Sequence, residues 1–329
     1  MGVVTVSGAQ GLAEVRGNGS YATGTDTATL LHEASDVAGP AMLGADLAEA
    51  SAHVAEVCAT PLVRALADSA VLDAVAREAG QPLWQVLGGR RTGAIPTHAQ
   101  IGFCGREQAV ELARSAARAG FGRVKMRVGR PRPDDDVAIV RAVCDALGED
   151  VVIAIDANGA WDAATAIATV QALAARRIAW VEQPTRPGDD DALSAVRRAV
   201  EVPVVADEAV RTREDLQRLC AAGAVDGVHL KLEKAGTVAA LADLAAQARD
   251  AGLLVFIGQM DQGRLGSSVT THLAAAIAAD AYELWGFQNI AHDVTTGLDV
   301  RDGRVGLPAG PGTGVVVDME KLTLVREVA

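Results

Sequence analysis

From residue 94 onward, the chain alternates short apolar runs with longer segments in which apolar residues recur at helical spacing. Between the runs lie amphipathic segments such as REQAVELARSAARAG, DDALSAVRRAV and REDLQRLCAAG; the last opens at Thr212 or Arg213 and ends at Gly223, as a helix does. The eight runs are AIPTHAQIGF, FGRVKMRVG, DVVIAIDAN, RIAWVEQP, VPVVADEA, VDGVHLKLEK, GLLVFIG and DAYELWG. Eight strands alternating with helices predict an α/β protein with a (β/α)8 barrel over residues 94–300.

The residues on either side of the predicted barrel do not follow this alternation. VVTVSGAQGLAEV predicts a hairpin around a Ser-Gly turn, and residues 26–87 carry alanine and leucine at helical spacing. After the eighth run, LDVRDGRVGLPAGPGTGVVVD predicts another hairpin. We therefore expect an α+β capping domain made of residues 1–93, to which the C-terminal segment 301–329 returns.

Five of the apolar runs end in a charged residue. These residues are Lys125, Asp156, Glu182, Asp207 and Lys231, and subtraction gives intervals of 31, 26, 25 and 24 residues. Each interval is roughly one βα unit of a barrel of about 250 residues. Because the C-terminal ends of the strands meet at one face, where barrel enzymes keep their sites, the five charges should form a ring there.

The three carboxylates of this ring would repel one another unless a cation or a proton lay between them. Asp156, Glu182 and Asp207 offer only oxygen ligands, which favours Mg²⁺, with Mn²⁺ able to replace it. Taken singly, each has another explanation: Asp156 could form the Asx turn of DANGAW, and Asp207 could cap a following helix. Their regular spacing, with a lysine on each side, favours the metal site.

The two lysines of the ring belong to the second and sixth strands, which lie on opposite sides of an eight-stranded barrel. A lysine that is desolvated beside a divalent cation can lose its proton near neutral pH and act as a base. This predicts abstraction of the proton α to a carboxylate, with the metal holding the carboxylate and stabilising the enolate. The alternative, a cation that only neutralises the ring, stays open for Lys234 and Arg123.

The bulk composition narrows the classes of partner that the protein is expected to bind. Half of the chain is hydrophobic (50%), and a net charge of −12 with a pI near 5.0 argues against nucleic acid and anionic membranes. The four cysteines form no CxxC and no zinc pattern, so we expect reduced thiols in a cytoplasmic protein. The N-terminus lacks a signal-peptide pattern, and no apolar run reaches the roughly 18 residues of a membrane span. A small-molecule carboxylate remains the expected partner.

The ordered set KMRVG, DANGAW, VEQP, ADE and HLKLEKAGT resembles the enolase superfamily, and more narrowly the mandelate racemase and muconate lactonizing enzyme family. The resemblance runs from about Val3 to Asp318. It implies a modified barrel with a cap, magnesium bound by the three carboxylates, and a homo-oligomer. It also implies that Asn158 and Glu208 orient the metal ligands. Lys231 within LKLEKAG, together with a seventh strand that ends IGQMDQG without histidine, resembles the muconate lactonizing subgroup.

The second strand departs from the family pattern, in which K-x-K places the usual base at the second lysine. Here Arg123, Lys125 and Arg127 share one face of the strand, and arginine is a poor proton acceptor. Lys231 is therefore predicted as the main base, while Lys125 and Arg127 bind the carboxylate or steady the enolate. The arginine favours a one-base elimination, as in a dehydratase or lyase. Racemisation or epimerisation stays open, with Lys125 as the second acid/base group.

Other positions bear on the substrate. YELWGFQN contains Glu283 but not the D-x-D of dipeptide epimerases, which argues against that activity. Gln262, beside Asp261, stands where muconate lactonizing relatives carry a glutamate, which weakens the alternative of a cycloisomerase. Trp285 either walls an apolar or cyclic substrate, such as an amino or imino acid derivative, or packs against the barrel. Asp261, Gln262 and Trp285 are thus the predicted substrate-binding residues.

The start of the chain and one histidine complete the expectations. The family has one more strand and a lid loop before the first hairpin, so either the start of the cap is shortened or residues such as Asn18, Gly19 and Tyr21 do part of the lid's work. This shortening and Arg127 support the competing hypothesis of a catalytically impaired barrel that binds a metal and a carboxylate. His229, two residues before Lys231, is predicted as a hydrogen-bonded barrel residue and not a base.

Overall fold

The computed structural model describes residues 1–17, 24–90, 93–147 and 150–328. Its centre is an eight-stranded parallel sheet in which each strand pairs with the next one along the chain. The barrel strands, numbered one to eight below, are Ala99–Ile101, Arg123–Arg127, Val152–Asp156, Ile178–Glu182, Val204–Ala206, Gly227–Lys231, Leu254–Gly258 and Ala281–Glu283. Each lies within one of the eight apolar runs, so the predicted barrel is confirmed.

The first and eighth barrel strands meet through one threonine side chain. Thr97 Oγ1 accepts a hydrogen bond from the Leu284 amide at 2.9 Å and donates to the Tyr282 carbonyl at 3.5 Å. His98 then lies beside Glu283. These contacts hold the end of the eighth strand against the segment that leads into the first strand.

The helices that follow the strands shield the barrel. They are Arg106–Arg118, Pro133–Leu147, Ala163–Ala172, Asp190–Ala199, Arg213–Ala221, Leu232–Ala235 with Val238–Asp250, and Arg264–Ala276. Several begin at a side-chain cap: Asp162, Asp189, Thr212 and Thr237 each accept a hydrogen bond from a first-turn amide. Thr212 and Asp215 form a reciprocal capping box, which confirms the predicted start of that helix.

The N-terminal region contains the predicted hairpin and helices. Strands Gly2–Val4 and Gln10–Leu12 pair antiparallel, and the helical segments span Thr27–His32, Glu33–Ala38 (a π-helical turn), Gly39–Met42, Leu47–Val57, Pro61–Glu78 and Leu83–Val86. A small separate core around Leu30, Val54 and Leu62 joins the helices of residues 27–67, whereas Leu83–Val86 packs against the main core. Asn18, Gly19 and Tyr21, proposed as lid residues, lie outside the described residues.

The C-terminal segment contacts both parts of the chain. Val300–Arg301 and Arg304–Val305 form the predicted hairpin, which pairs with Ile95–Pro96 beside the barrel. Further on, Gly312 exchanges backbone hydrogen bonds with residues 81 and 83 of the N-terminal region. The division into segments 1–93, 94–300 and 301–329 stays a prediction. In the described part of the chain, no helix has the length and apolar character needed to cross a membrane.

Candidate active site

The five charged residues predicted to form a ring lie together and are all buried. Asp156, Glu182 and Lys231 end their strands, Asp207 directly follows strand five, and Lys125 lies two residues before the end of strand two. Lys125 Nζ is 3.0 Å from Glu182 Oε1 and 3.5 Å from Asp156 Oδ2. Lys231 Nζ is 2.8 Å from Asp207 Oδ2. The spacing along the sequence therefore predicted a spatial cluster correctly, and the chemical role of each member stays a prediction.

Glu182, at the centre of the cluster, is held by three donors. Its Oε1 is bonded to Lys125 and lies 2.9 Å from His229 Nδ1, and its Oε2 accepts from Trp180 Nε1 at 3.2 Å. Burial by itself raises the pKa of Glu182, but Lys125 and His229 outweigh it and lower that pKa to about 2. Glu182 is therefore a charged, immobile carboxylate inside the barrel.

Asp156 has the opposite electrostatic environment. Burial and the neighbouring charge of Glu182 raise the pKa of Asp156 to about 7, against the weaker attraction of Lys125 and Arg127. The positive charge of Lys125 and Arg127 is therefore not enough to offset burial and the repulsion between the carboxylates of Asp156 and Glu182. Such a pair is the environment in which a bound cation is stabilising.

Asp207 is surrounded by cations and fixed by its backbone. Lys231 binds Oδ2, while Lys234 Nζ donates to Oδ1 at 2.6 Å and to the His229 carbonyl at 2.7 Å. Burial alone would raise the pKa of Asp207, and the two lysines lower it far below its usual range. Gln183 Oε1 accepts from the amides of Asp207 and Ala209, each at 3.0 Å. Gln183 stands at a left-handed φ of 35°, a conformation that no local sequence signal predicted.

Glu283 of strand eight is the main member of the cluster that was missed from the sequence as a site residue. Its Oε2 pairs with Lys125, its Oε1 is 3.7 Å from Lys231 Nζ, and His98 Nε2 lies 3.1 Å from Oε2. Burial would raise the pKa of Glu283, but the two lysines lower it well below its usual range. Glu283 ends an apolar run like the other five, so the same rule could have found it.

The donor atoms in the cluster suit a metal ion, although the tightest group differs from the predicted one. Within the described residues, Glu182, Asp207 and His229 offer ligand atoms that all lie within 4.8 Å of one another. Asp156, predicted as the third ligand, is not in this group. It shares Lys125 with Glu182 and is repelled by the charge of Glu182. His229 makes a hydrogen bond inside the barrel, as predicted. The crowding of buried carboxylates fits a divalent cation.

The predicted orienting residues touch each other and Asp156. Asn158 Nδ2 donates to Glu208 Oε1 at 2.8 Å, and the Asn158 amide donates to Asp156 Oδ1 at 3.0 Å. The second contact is the turn that was considered as a purely local explanation for Asp156. The turn and the cluster coexist, because one carboxylate oxygen serves each.

The other cations of strand two occupy different environments. The Arg123 guanidinium stacks 4.9 Å from the Trp180 ring, inside the barrel and below Lys125. Arg127 is exposed at the strand end, and its charge lowers the pKa of Asp156. Arg127 is thus a permanent charge at the mouth of the cluster.

In the part of the chain that the structure describes, the three predicted substrate-binding residues contact residues outside the lysine–carboxylate cluster. Asp261 pairs with Arg16 at 3.7 Å and accepts from Asn289 Nδ2 at 3.0 Å. Gln262 is buried beneath the N-terminal region and lines a small cavity with Glu14 and Glu233. Trp285 packs edge-on against Phe121 with ring centroids 5.2 Å apart, which is the packing role considered from the sequence. Their part in substrate binding stays a prediction.

Comparison with known proteins extends this picture. Residues 108–321 match the family model described as "Enolase C-terminal domain-like". The chain is 28% identical over 273 residues to the N-succinyl-L-Arg/Lys racemase of Bacillus cereus, covering 82% of this chain and 73% of the relative. It is 31% identical over 265 residues to muconate cycloisomerase 1 of Rhodococcus opacus, covering 78% and 70%.

A solved structure covers the N-terminal region as well as the barrel. The dipeptide epimerase from Enterococcus faecalis V583, complexed with Mg and the dipeptide L-Leu-L-Tyr, superposes with a TM-score of 0.89 at 28% identity. The match covers 95% of this chain and 90% of that one. The similarity therefore extends over both the barrel and the region that precedes it.

Proposed function

Because this chain belongs to the mandelate racemase and muconate lactonizing enzyme family of the enolase superfamily, we propose that it removes the proton α to the carboxylate of a small amino acid derivative. The observation that carries the proposal is the buried cluster of carboxylates with a lysine on each side. Racemisation or epimerisation is the leading outcome, since the chain is similar to a racemase and to a dipeptide epimerase.

The proposed cofactor is Mg²⁺, with Mn²⁺ as a substitute. Asp156, Glu182 and Asp207 would hold it, with His229 fixing Glu182 and Asn158 fixing Asp156 through the hydrogen bonds described above. When bound, a divalent cation supplies attraction for the substrate carboxylate and stabilises the negative charge that develops on it. The magnesium complex of the dipeptide epimerase supports this choice.

Lys231 is the proposed base. It can accept a proton only after its ammonium group has lost one. Burial lowers the pKa of Lys231, but Asp207, Glu283 and Glu182 outweigh burial and raise that pKa well above its usual value. Neutralising these carboxylates would therefore lower the pKa of Lys231, which favours the deprotonated amine that a base requires.

Lys125 is the proposed second acid/base group. It contacts Glu182, Asp156 and Glu283, and these charges outweigh its burial and raise its pKa. Because Glu283 lies between the two lysines, they face a common space from two sides. Arg127 keeps its proton, so its proposed role is to attract the substrate carboxylate to the mouth of the site.

A second candidate function is elimination from a similar substrate with Lys231 as the only base. It is favoured by Arg127, which stands where the family's usual base would be. Elimination needs acid/base chemistry on fewer sides of the substrate than racemisation does. The homo-oligomeric state and the cytoplasmic location stay predictions.

The test is proton exchange in D₂O with Mg²⁺, followed by NMR over a panel of N-acyl amino acids, dipeptides, cyclic imino acids and sugar acids. Deuterium incorporation into both enantiomers at comparable rates supports two bases and contradicts the one-base elimination. Lys231→Ala should lower exchange by roughly 10²- to 10⁴-fold, while Mn²⁺ binding, followed by electron paramagnetic resonance, persists. Lys321→Ala, which removes an exposed lysine paired with Asp318, is the matched control.

Two outcomes would contradict the proposal. Exchange that survives Lys231→Ala would remove the base assignment. A wild-type protein that binds Mn²⁺ and a carboxylate but exchanges no α-proton over the whole panel would instead support the impaired, ligand-binding barrel.

A further inference from the structure

A half-buried carboxylate of the N-terminal region caps a helix of the barrel from a distance of 249 residues along the chain. Glu14 Oε1 accepts from the Gly263 amide at 2.7 Å, and Oε2 accepts from the Gly266 amide at 3.3 Å. Helix Arg264–Ala276 begins at Gly263, which has no side chain to cap it. Glu14 therefore satisfies amides that the helix itself leaves without a partner.

The fit between Glu14 and this helix depends on close approach. A Cβ atom at Gly263 would come within 2.5 Å of Glu14 Oε1, and one at Gly266 would come within 2.9 Å of the Glu14 carbonyl oxygen. Such distances exclude any side chain at either position while Glu14 stays in place. Burial raises the pKa of Glu14, which agrees with a carboxylate enclosed between the two parts of the chain.

The same N-terminal segment contacts the loop that precedes the helix. Arg16 pairs with Asp261 at 3.7 Å, two residues before the glycine amide that Glu14 binds. Gln262, between these two contacts, is buried next to Glu14. The loop after strand seven is thus held at Asp261 and at Gly263 by Arg16 and Glu14, which are two residues apart in the N-terminal segment.

We propose that Glu14 is a positioning residue that sets the place of the strand-seven loop. The loop starts after Gly258, which pairs with Lys231 on strand six, so its place also sets how tightly the substrate is held. The inference rests on the proposed function for its kinetic part. Glu14 lies outside the lysine–carboxylate cluster, so its loss should weaken substrate capture and leave proton abstraction nearly intact. The expected signature is a KM effect without a kcat effect.

The chain offers a matched control in Asp68. Asp68 Oδ2 accepts from the Val238 amide at 2.7 Å, so this buried residue is a second carboxylate of the N-terminal region that caps a barrel helix. Burial raises its pKa as well. Its helix, Val238–Asp250, does not follow the strand-seven loop. Glu14→Gln and Asp68→Asn therefore remove equivalent interactions at different places.

The experiment compares these two variants in three measurements: hydrogen–deuterium exchange of peptide amides, thermal unfolding, and steady-state kinetics with the best substrate of the panel. Glu14→Gln should speed amide exchange in residues 259–267 and raise KM by about 5- to 10-fold, the equilibrium effect of one lost cap, with kcat changed less than about twofold. Glu14→Gln and Asp68→Asn should lower Tm by similar amounts. Asp68→Asn should speed amide exchange near residues 237–241 and leave KM unchanged.

Two results would overturn the inference: an unchanged loop and KM in Glu14→Gln, or an equal rise of KM in Asp68→Asn. If Glu14→Gln does not fold, Arg16→Ala releases the same loop at Asp261 and should give the same pattern of amide exchange. If the wild type turns over no substrate, the proposed function fails. Amide exchange in residues 259–267 then still decides whether Glu14 holds the loop.

Discussion

Glu283 gives the sharpest test of the electrostatics of this site. It lies between Lys125 and Lys231, with Oε1 3.7 Å from Lys231 Nζ, and it is buried at 5% exposure. At an effective dielectric constant near 20, two unit charges about 4 Å apart interact by roughly 4 kcal/mol. Opposite charges at such distances shift a pKa by roughly one to three units. Glu283→Gln keeps the shape of the side chain and removes this interaction.

The direction in which the pH profile should move follows from the role of the base. Proton abstraction requires Lys231 without its proton, so kcat/KM should rise with pH as Lys231 titrates. Glu283 stabilises the charged ammonium and raises the pKa of Lys231. Removing that charge should lower this pKa and move the acid limb of the kcat/KM profile to lower pH by at least roughly one unit.

The assay is the pH profile of kcat/KM at saturating Mg²⁺, measured by α-proton exchange for the wild type and Glu283→Gln. Glu33→Gln is the control, because Glu33 is a buried carboxylate that accepts from the Thr60 amide within the N-terminal region. Its profile should keep the wild-type limb. A limb that stays in place or moves to higher pH in Glu283→Gln would refute the reasoning, and with it the assignment of the limb to a lysine beside Glu283.

Two further predictions concern stability. Asp156 carries a pKa raised to about 7, so its folded form holds a proton that the unfolded chain releases near the ordinary aspartate pKa of 3.8. The stability contributed by this group therefore falls as the pH rises from about 4 to about 7. In the presence of EDTA, Asp156→Asn should therefore raise Tm more at pH 8 than at pH 5, and an equal change at both pH values in a calorimetric scan would contradict this. In a sample without EDTA, the same substitution should weaken Mn²⁺ binding. Thr97→Val removes the two hydrogen bonds that join strands one and eight, and should lower the free energy of unfolding by roughly 1–3 kcal/mol in urea titration. Thr169→Val is its control, since Thr169 Oγ1 is buried without a hydrogen-bond partner among the described residues. If Thr169→Val lowered the free energy of unfolding as much as Thr97→Val does, the bridging role of Thr97 would be contradicted.

The sequence by itself determined the barrel and the place of its charged face. Alternation of apolar and polar residues is a local property, and each strand needs one apolar run to be buried whatever its neighbours are. The charge at the end of a run is therefore visible one βα unit at a time, which is why Lys125, Asp156, Glu182, Asp207 and Lys231 were found together. Helix starts such as Thr212 were found for the same reason, since a cap bonds only to its own first turn.

Tertiary structure decided which of these groups touch, and what else joins them. Glu283 enters the cluster because the contacts of Thr97 hold strand eight next to strand one, from which its side chain reaches Lys125, and His229 reaches Glu182 across strand five. Gln183 needs a left-handed backbone that its neighbours in space impose. Glu14 caps a helix 249 residues away, which depends on how the N-terminal region packs on the barrel. These contacts depend on the stagger of the strands and on close packing between distant segments, and neither leaves a periodic trace along the chain.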